Sequence, residues 1–382
     1  DDNTNYVIGV HLITSSVEHH AVLELLEYVK NHPETLISNR YGLNISLNIV
    51  LDEIGVTNQG IINTSQLFAR LNYQPHIADV VNMEKQTSFT PANATVIDAA
   101  TFISVMHANN EVGAIQPLIK IGQALETFKS QHTDSTVYFH TDACQSFGKI
   151  HLDVQAANLD LVTLNAHKLH GMKGIGSLYV RPGVKLLLVQ LGGGHQHGLR
   201  SGTVNVPGVV SFQSAATYAY SIPDNTEPEQ IRPLLNKLYA KQGQNAILHD
   251  ELTQHGKEIR PKQLKLAYNL RQLFPRSIIN GPLSTIPMTI DESEFVANVN
   301  DFEGEFYDIT KYPMLPNIIS ILIDPSSQLD SSGIVKYLSS RNVFVSAGSA
   351  CASNNSEPTP SHVLKSIGLK DQWSNGTIRV SL

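Results

Sequence analysis

Cysteine is scarce in this chain: 382 residues contain only Cys144 and Cys351. A disulfide scaffold is therefore excluded, and a reducing compartment, the cytoplasm, is the expectation. A mitochondrial location would need a transit segment ahead of residue 1, because Asp1-Asp2-Asn3-Thr4-Asn5 is polar and acidic. Long apolar runs are also missing. None approaches the roughly 20 residues that span a bilayer, so no membrane partner is expected. Positive charge is in deficit, with 27 Lys and Arg against 34 Asp and Glu. That balance gives no general attraction for phosphate backbones, and no nucleic-acid partner is expected. Sixteen histidines, including His19-His20 and His195-x-His197, suggest a metal. The HExxH and CxxC spacings are absent, however, and no metal site is expected. Nor is there a GxSxG elbow for a serine hydrolase.

What is present is enough apolar material, 41% of the residues, for one large core and a smaller second one. Short branched runs read as strands at 6–14, 47–52, 100–108, 137–143, 160–166 and 176–180. Helical spacing appears between them, from Glu18 to Lys30 and over 117–130. This alternation predicts an α/β fold, a mostly parallel sheet with helices on both faces. Residues 1–220 would form the large domain. Residues 221–312, polar and Pro-rich with a helical stretch near 259–274, read as an inserted, mobile region. Residues 313–382 read as a small α/β domain, with strands at 317–323, NVFVSAG and GTIRVSL and helices near 331–340 and in SHVLKSIG.

Ligands of such sheets bind at the carboxyl ends of the strands. The polar residues placed there are Ser15 to His20, His107 to Glu111, Asp142 to Gln145, and His167-Lys168. Asp142 and Lys168 close strands that one crossover can make neighbours. An amine with a carboxylate nearby suits an enzyme that captures a cofactor aldehyde, the acid keeping a ring nitrogen protonated. The plainer reading is a helix-capping Asp and a solvated Lys. Gln145 could bond a phenolic oxygen or be an ordinary residue of the first helical turn. GGGH at 192–195 and RSGT at 200–203 supply turns and groups for an anion, although most Gly clusters are only turns. Cys351 lies in SAGSACASNNSEPTPSH, too polar a loop for a buried structural thiol. Cys144, inside DACQ, reads as a space-filler.

Eight collinear segments then carry a resemblance. They are TSSVEHHAVLE, SVMHANNEVGAIQP, FHTDACQSFGK, LNAHKLHGMKGIGSLYV, GGGHQHGLRSGT, SAGSACAS, PSHVLKSIGL and IRVSL. Together they resemble the cysteine desulfurases, class V aminotransferase-like enzymes with the type I pyridoxal-phosphate fold. The resemblance implies that Lys168 binds the pyridoxal 5'-phosphate and moves protons at the substrate's alpha carbon. It gives His19 the role of stacking on the ring and Asp142 that of pairing with the ring nitrogen. Gln145 takes the ring oxygen. His167, Asn165 (where a serine is usual) and Thr203 take the phosphate, Thr203 across a homodimer interface. Asn110 and Arg379 would hold the carboxylate of L-cysteine, and Cys351 would take its sulfur as a persulfide for an iron–sulfur scaffold or other acceptor protein. The family's N-terminal Gly-Ala-Thr loop and its last helix have no counterpart, so a chain truncated at both ends is expected. A selenocysteine lyase and a non-catalytic homologue acting only through partners stay open beside this reading.

Overall fold

A computed structural model describes residues 5–36, 44–72, 94–187, 190–223, 226–227, 229–230, 252–285, 313–326, 330–347 and 360–382. Six strands form the large sheet: β1 (Asn5–Ser15), β2 (Asn44–Ile54), β3 (Ala94–Ser104), β4 (Val137–Asp142), β5 (Leu161–Asn165) and β6 (Gly176–Val180). Their order is β2-β1-β3-β4-β5-β6, with all neighbours parallel except β6, which runs antiparallel to β5. The expected α/β fold is present, and its parallel strands end along one edge.

One face of the sheet packs Ile13, Ile103 and Phe139 against α2 (Thr64–Asn72) and α3 (Leu118–Gln131). Leu118, Ile121, Leu125 and Phe128 recur three and four residues apart, so α3 buries a single stripe. Within that stripe Gly122 lets the helix lie directly on the Ala157 carbonyl, which any Cβ would overlap. The opposite face packs Leu12 and Ile49 against Leu26 of α1 (His20–Asn31). That helix starts two residues later than its spacing suggests, because His19 caps it and Glu18 lies in the preceding turn.

Three further expectations need correction. The strand expected over 100–108 leaves the sheet after Ser104. Beyond it, the Asn109 carboxamide oxygen accepts the backbone N–H groups of Glu111 and Val112 and bends the chain into a turn. Among the described residues of NVFVSAG, 342–347, the expected strand is reduced to one bridge, Ser346 with Arg379, after a left-handed turn at Asn342. Residues 221–312 are not all insertion. After α4 (Val206–Ala219), Thr253 caps a twenty-residue helix, α5 (Gln254–Leu273), and β7 (Ile278–Ile279) follows. β7 pairs with β8 (Ile318–Leu322), which pairs with β9 (Thr377–Ser381), all antiparallel. Leu264, Ala267 and Ile279 share a core with Ile319, Ile321 and Ile378. The buried stripe of α5 includes Arg260 and Gln263, which donate to the carbonyls of Met314, Leu315 and Ile318. The helical stretch read near 259–274 is thus part of a longer helix, and its buried polar residues gave no sign that it packs into a core. α6 (Ser331–Ser339), α7 (His362–Ser366) and α8 (Asp371–Ser374) complete the smaller unit.

Candidate active site

The carboxyl ends of β1, β4 and β5 present His19, Asp142 and Lys168. β4 and β5 are adjacent, with Asp142 opposite Thr163, so the single crossover inferred from spacing is realised. Asp142 is half-buried, and one carboxylate oxygen accepts the N–H of Cys144 at 2.9 Å. Lys168 sits exposed in a 3-10 turn over His167–Leu169, with His167 exposed beside it. The Asn165 carboxamide oxygen accepts the Lys168 N–H at 3.2 Å, so this residue also shapes the turn that carries the amine.

His19 accepts the Ala21 N–H on Nδ1 at 3.1 Å. In the neutral ring the proton is then on Nε2. Burial lowers its pKa, Asp142 opposes that, and His20, Lys168 and His362 reinforce it. Asp142 and Lys168 therefore both act on this imidazole. Burial also lowers His167, with Lys168 and Lys173 adding to the effect. Cys144 is pushed well up by burial and then by Asp142, which leaves an inert thiol, in keeping with a space-filler.

Asn110 and Arg379 lie 269 residues apart in sequence and meet in space: Arg379 Nη1 donates to the Asn110 carbonyl at 3.0 Å. Arg379 also bonds the backbone of Ser346 in both directions, at 2.7 and 2.9 Å. Thr203 is exposed, and Gln145 is half-buried with its carbonyl accepting from Lys149. Cys351 lies outside the described residues. The chain on either side of it is anchored at the site. Ser346 sits on Arg379; Ser361 donates to Glu111 Oε2 at 2.6 Å; His362 Nε2 lies 2.9 Å from the Glu18 carbonyl, its ring 4.6 Å from that of His20.

Sequence reasoning missed the buried groups beneath these residues. Glu18 has no solvent exposure; its Oε1 accepts from Ser15 Oγ at 2.5 Å and from Met106 N at 2.8 Å, and burial raises its pKa to about 8. Lys149, 3% exposed, lies under the turns of Gln145 and Lys168. Both occur inside motifs, VEHH and SFGK, whose neighbours drew the attention.

Residues 48–244 match the family described as Aminotransferase class-V. The chain is similar to the cysteine desulfurase IscS of Clostridium botulinum (strain Hall), 29% identical over 378 residues that cover 98% of this chain and 67% of that protein. It is also 32% identical to the cysteine desulfurase IscS of an Anaeromyxobacter species (strain Fw109-5), covering 85% of this chain and 63% of that relative. The chain thus spans about two thirds of the length of these two relatives. A solved NifS-like protein superposes with a TM-score of 0.59 at 23% identity, over 98% of this chain and 70% of that one, which shows the fold.

Proposed function

The chain belongs to the class-V aminotransferase family, and we propose that it is a pyridoxal-phosphate-dependent cysteine desulfurase that converts L-cysteine to L-alanine and keeps the sulfur as a persulfide on Cys351. The observation that carries this reading is the convergence of an imidazole, a carboxylate and a primary amine from three strand ends, close enough for Asp142 and Lys168 both to act on His19. That donor set fits pyridoxal 5'-phosphate. The pairing of Arg379 with Asn110 beside it supplies a cation for a substrate carboxylate.

When bound, the cofactor supplies an electron-withdrawing ring that stabilises negative charge at the substrate's alpha carbon. Lys168 would hold it covalently and move the proton at that carbon. Asp142 would keep a proton on the ring nitrogen, Gln145 would reach the ring oxygen, and His19 would cover the ring with its Nε2–H available for proton transfer. His167 and Asn165, with Thr203 of a second copy, would hold the phosphate. Arg379 and Asn110 would fix the carboxylate of cysteine. The Cys351 thiolate attacks the substrate sulfur; a sulfur–sulfur bond forms, the carbon–sulfur bond breaks, and a proton completes the alanine methyl group. Cysteine plus thiol gives alanine plus persulfide without an outside oxidant or reductant. The persulfide then passes to an acceptor protein such as an iron–sulfur scaffold, and the working form is a homodimer.

The test is to add pyridoxal phosphate to the purified chain, record the visible spectrum, and reduce with borohydride before peptide mass analysis. The expected result is a yellow band lost on reduction, with cofactor mass on Lys168 and none in Lys168→Ala. Cys351→Ser should keep the band and lose the persulfide. Absence of a protein-bound band, or full cysteine turnover by Cys351→Ser, overturns the proposal.

A further inference from the structure

Lys149 is a buried ammonium whose bonds go to main-chain oxygens. Its Nζ donates to the Gln145 carbonyl at 2.9 Å and to the Lys168 carbonyl at 3.1 Å. Among the described residues no carboxylate forms an ion pair with it. A buried charge without a counter-charge is costly, so its position calls for a reason. Its two partners give one: they stand in the turn after β4, which presents Asp142 and Gln145, and in the turn after β5, which presents Lys168.

We propose that Lys149 is a positioning residue for the cofactor lysine, pinning the Lys168 turn to the Asp142–Gln145 turn and keeping the Lys168 amine reactive through its charge. The inference rests on the desulfurase reading of Lys168 and adds a residue to it. The groups facing Lys149 come from three elements. Lys168 lies in the 3-10 turn, His255 on α5 has its pKa lowered by burial and then by Lys149, and the Tyr220 hydroxyl after α4 accepts the Gly148 N–H at 3.3 Å. Two carboxylates belong to these elements, Glu258, which raises His255 from α5, and Asp142 at the end of β4, and neither forms an ion pair with Lys149 among the described residues. Burial and then Lys168 lower the Lys149 pKa to about 8. The charge that acts on Lys168 is therefore present at neutral pH and lost as pH rises through 8. Two like charges that repel favour the unprotonated amine, the form that attacks an aldehyde.

The experiment uses the full chain free of cofactor. Trace labelling with acetic anhydride, read at Lys168 by peptide mass spectrometry from pH 6 to 10, is compared among wild type, Lys149→Met and Lys149→Arg. At pH 7 Lys149→Met should label at least about threefold more slowly than wild type, Lys149→Arg should recover most of the rate, and the gap should close above pH 9. Equal rates at pH 7, or a deficit of the same size at every pH, overturn the inference, the latter because a packing role alone would do the same. Should Lys149→Met fail to fold, wild type alone decides. A labelling profile shallower than a one-proton curve supports coupling of the two amines, and a one-proton curve refutes it. Capture of pyridoxal phosphate is measured separately on the same protein. No capture alongside a coupled profile would sink the desulfurase reading and leave the Lys149–Lys168 pairing standing.

Discussion

Replacing Glu18 by Gln should reverse the sign of its effect on stability between pH 5 and pH 8.5. In the folded protein this carboxyl ionises near 8 because burial disfavours its charge, against 4.5 for the free side chain. The folded state therefore binds the proton more tightly than the unfolded state. The resulting stabilisation is complete below about pH 4.5 and is lost as pH rises through 8. Carried across that window, the difference ties roughly 4–5 kcal/mol of folding free energy to pH. The Gln carbonyl can still accept from Ser15 Oγ and Met106 N, the two bonds Glu18 Oε1 makes. Its amide nitrogen takes the place of Oε2, a buried atom with no hydrogen-bond partner among the described residues, at a cost of roughly 1–3 kcal/mol. Glu18→Gln should thus be the less stable protein at pH 5 and the more stable by roughly 1–4 kcal/mol at pH 8.5. Urea denaturation of the cofactor-free proteins at four pH values measures this, since titrations common to both cancel in the difference. Parallel stability curves would show that Glu18 is not a buried acid of this kind.

Arg379→Lys keeps the charge but loses the planar fork that spans Asn110 and Ser346. It should raise the KM for cysteine about tenfold or more while leaving cofactor loading intact; loss of the visible band instead would move Arg379 into the cofactor site. Gly122→Ala should destabilise the large unit by about 2 kcal/mol or more, because the new methyl overlaps the Ala157 carbonyl between α3 and the loop before β5. An unchanged urea midpoint would mean that this backbone contact is looser than the geometry requires.

Much of the large sheet could be read from the chain because its strands are buried runs bounded by polar turns, and because parallel strands place all their ends on one edge. Around α5 the helix near 259–274 was legible, but its place in a core was not. Its core-facing side carries Arg260 and Gln263, which look like surface residues until their carbonyl partners on the other element are known. NVFVSAG has the composition of a strand, yet β9 pairs along its length with β8 and offers this segment only Ser346. At the site, residues at strand ends were legible by type and place. Glu18 and Lys149 were not, because nothing local marks a charged side chain as buried. The meeting of Arg379 with Asn110 was accessible only through resemblance, since no local pattern connects positions so far apart.

That long reach has a consequence for how the molecule is made. Arg379 grips Asn110, His362 reaches Glu18, and Ser366 donates to the Ser16 carbonyl across 350 residues. Contacts of such separation form late, because a long loop must close before any of them is rewarded. During synthesis the large sheet can assemble while these partners are still inside the ribosome. The contact between Arg379 and Asn110 forms only after residue 379 has emerged. A nascent chain would so carry a finished sheet edge before the contacts that join it to the C-terminal segment exist.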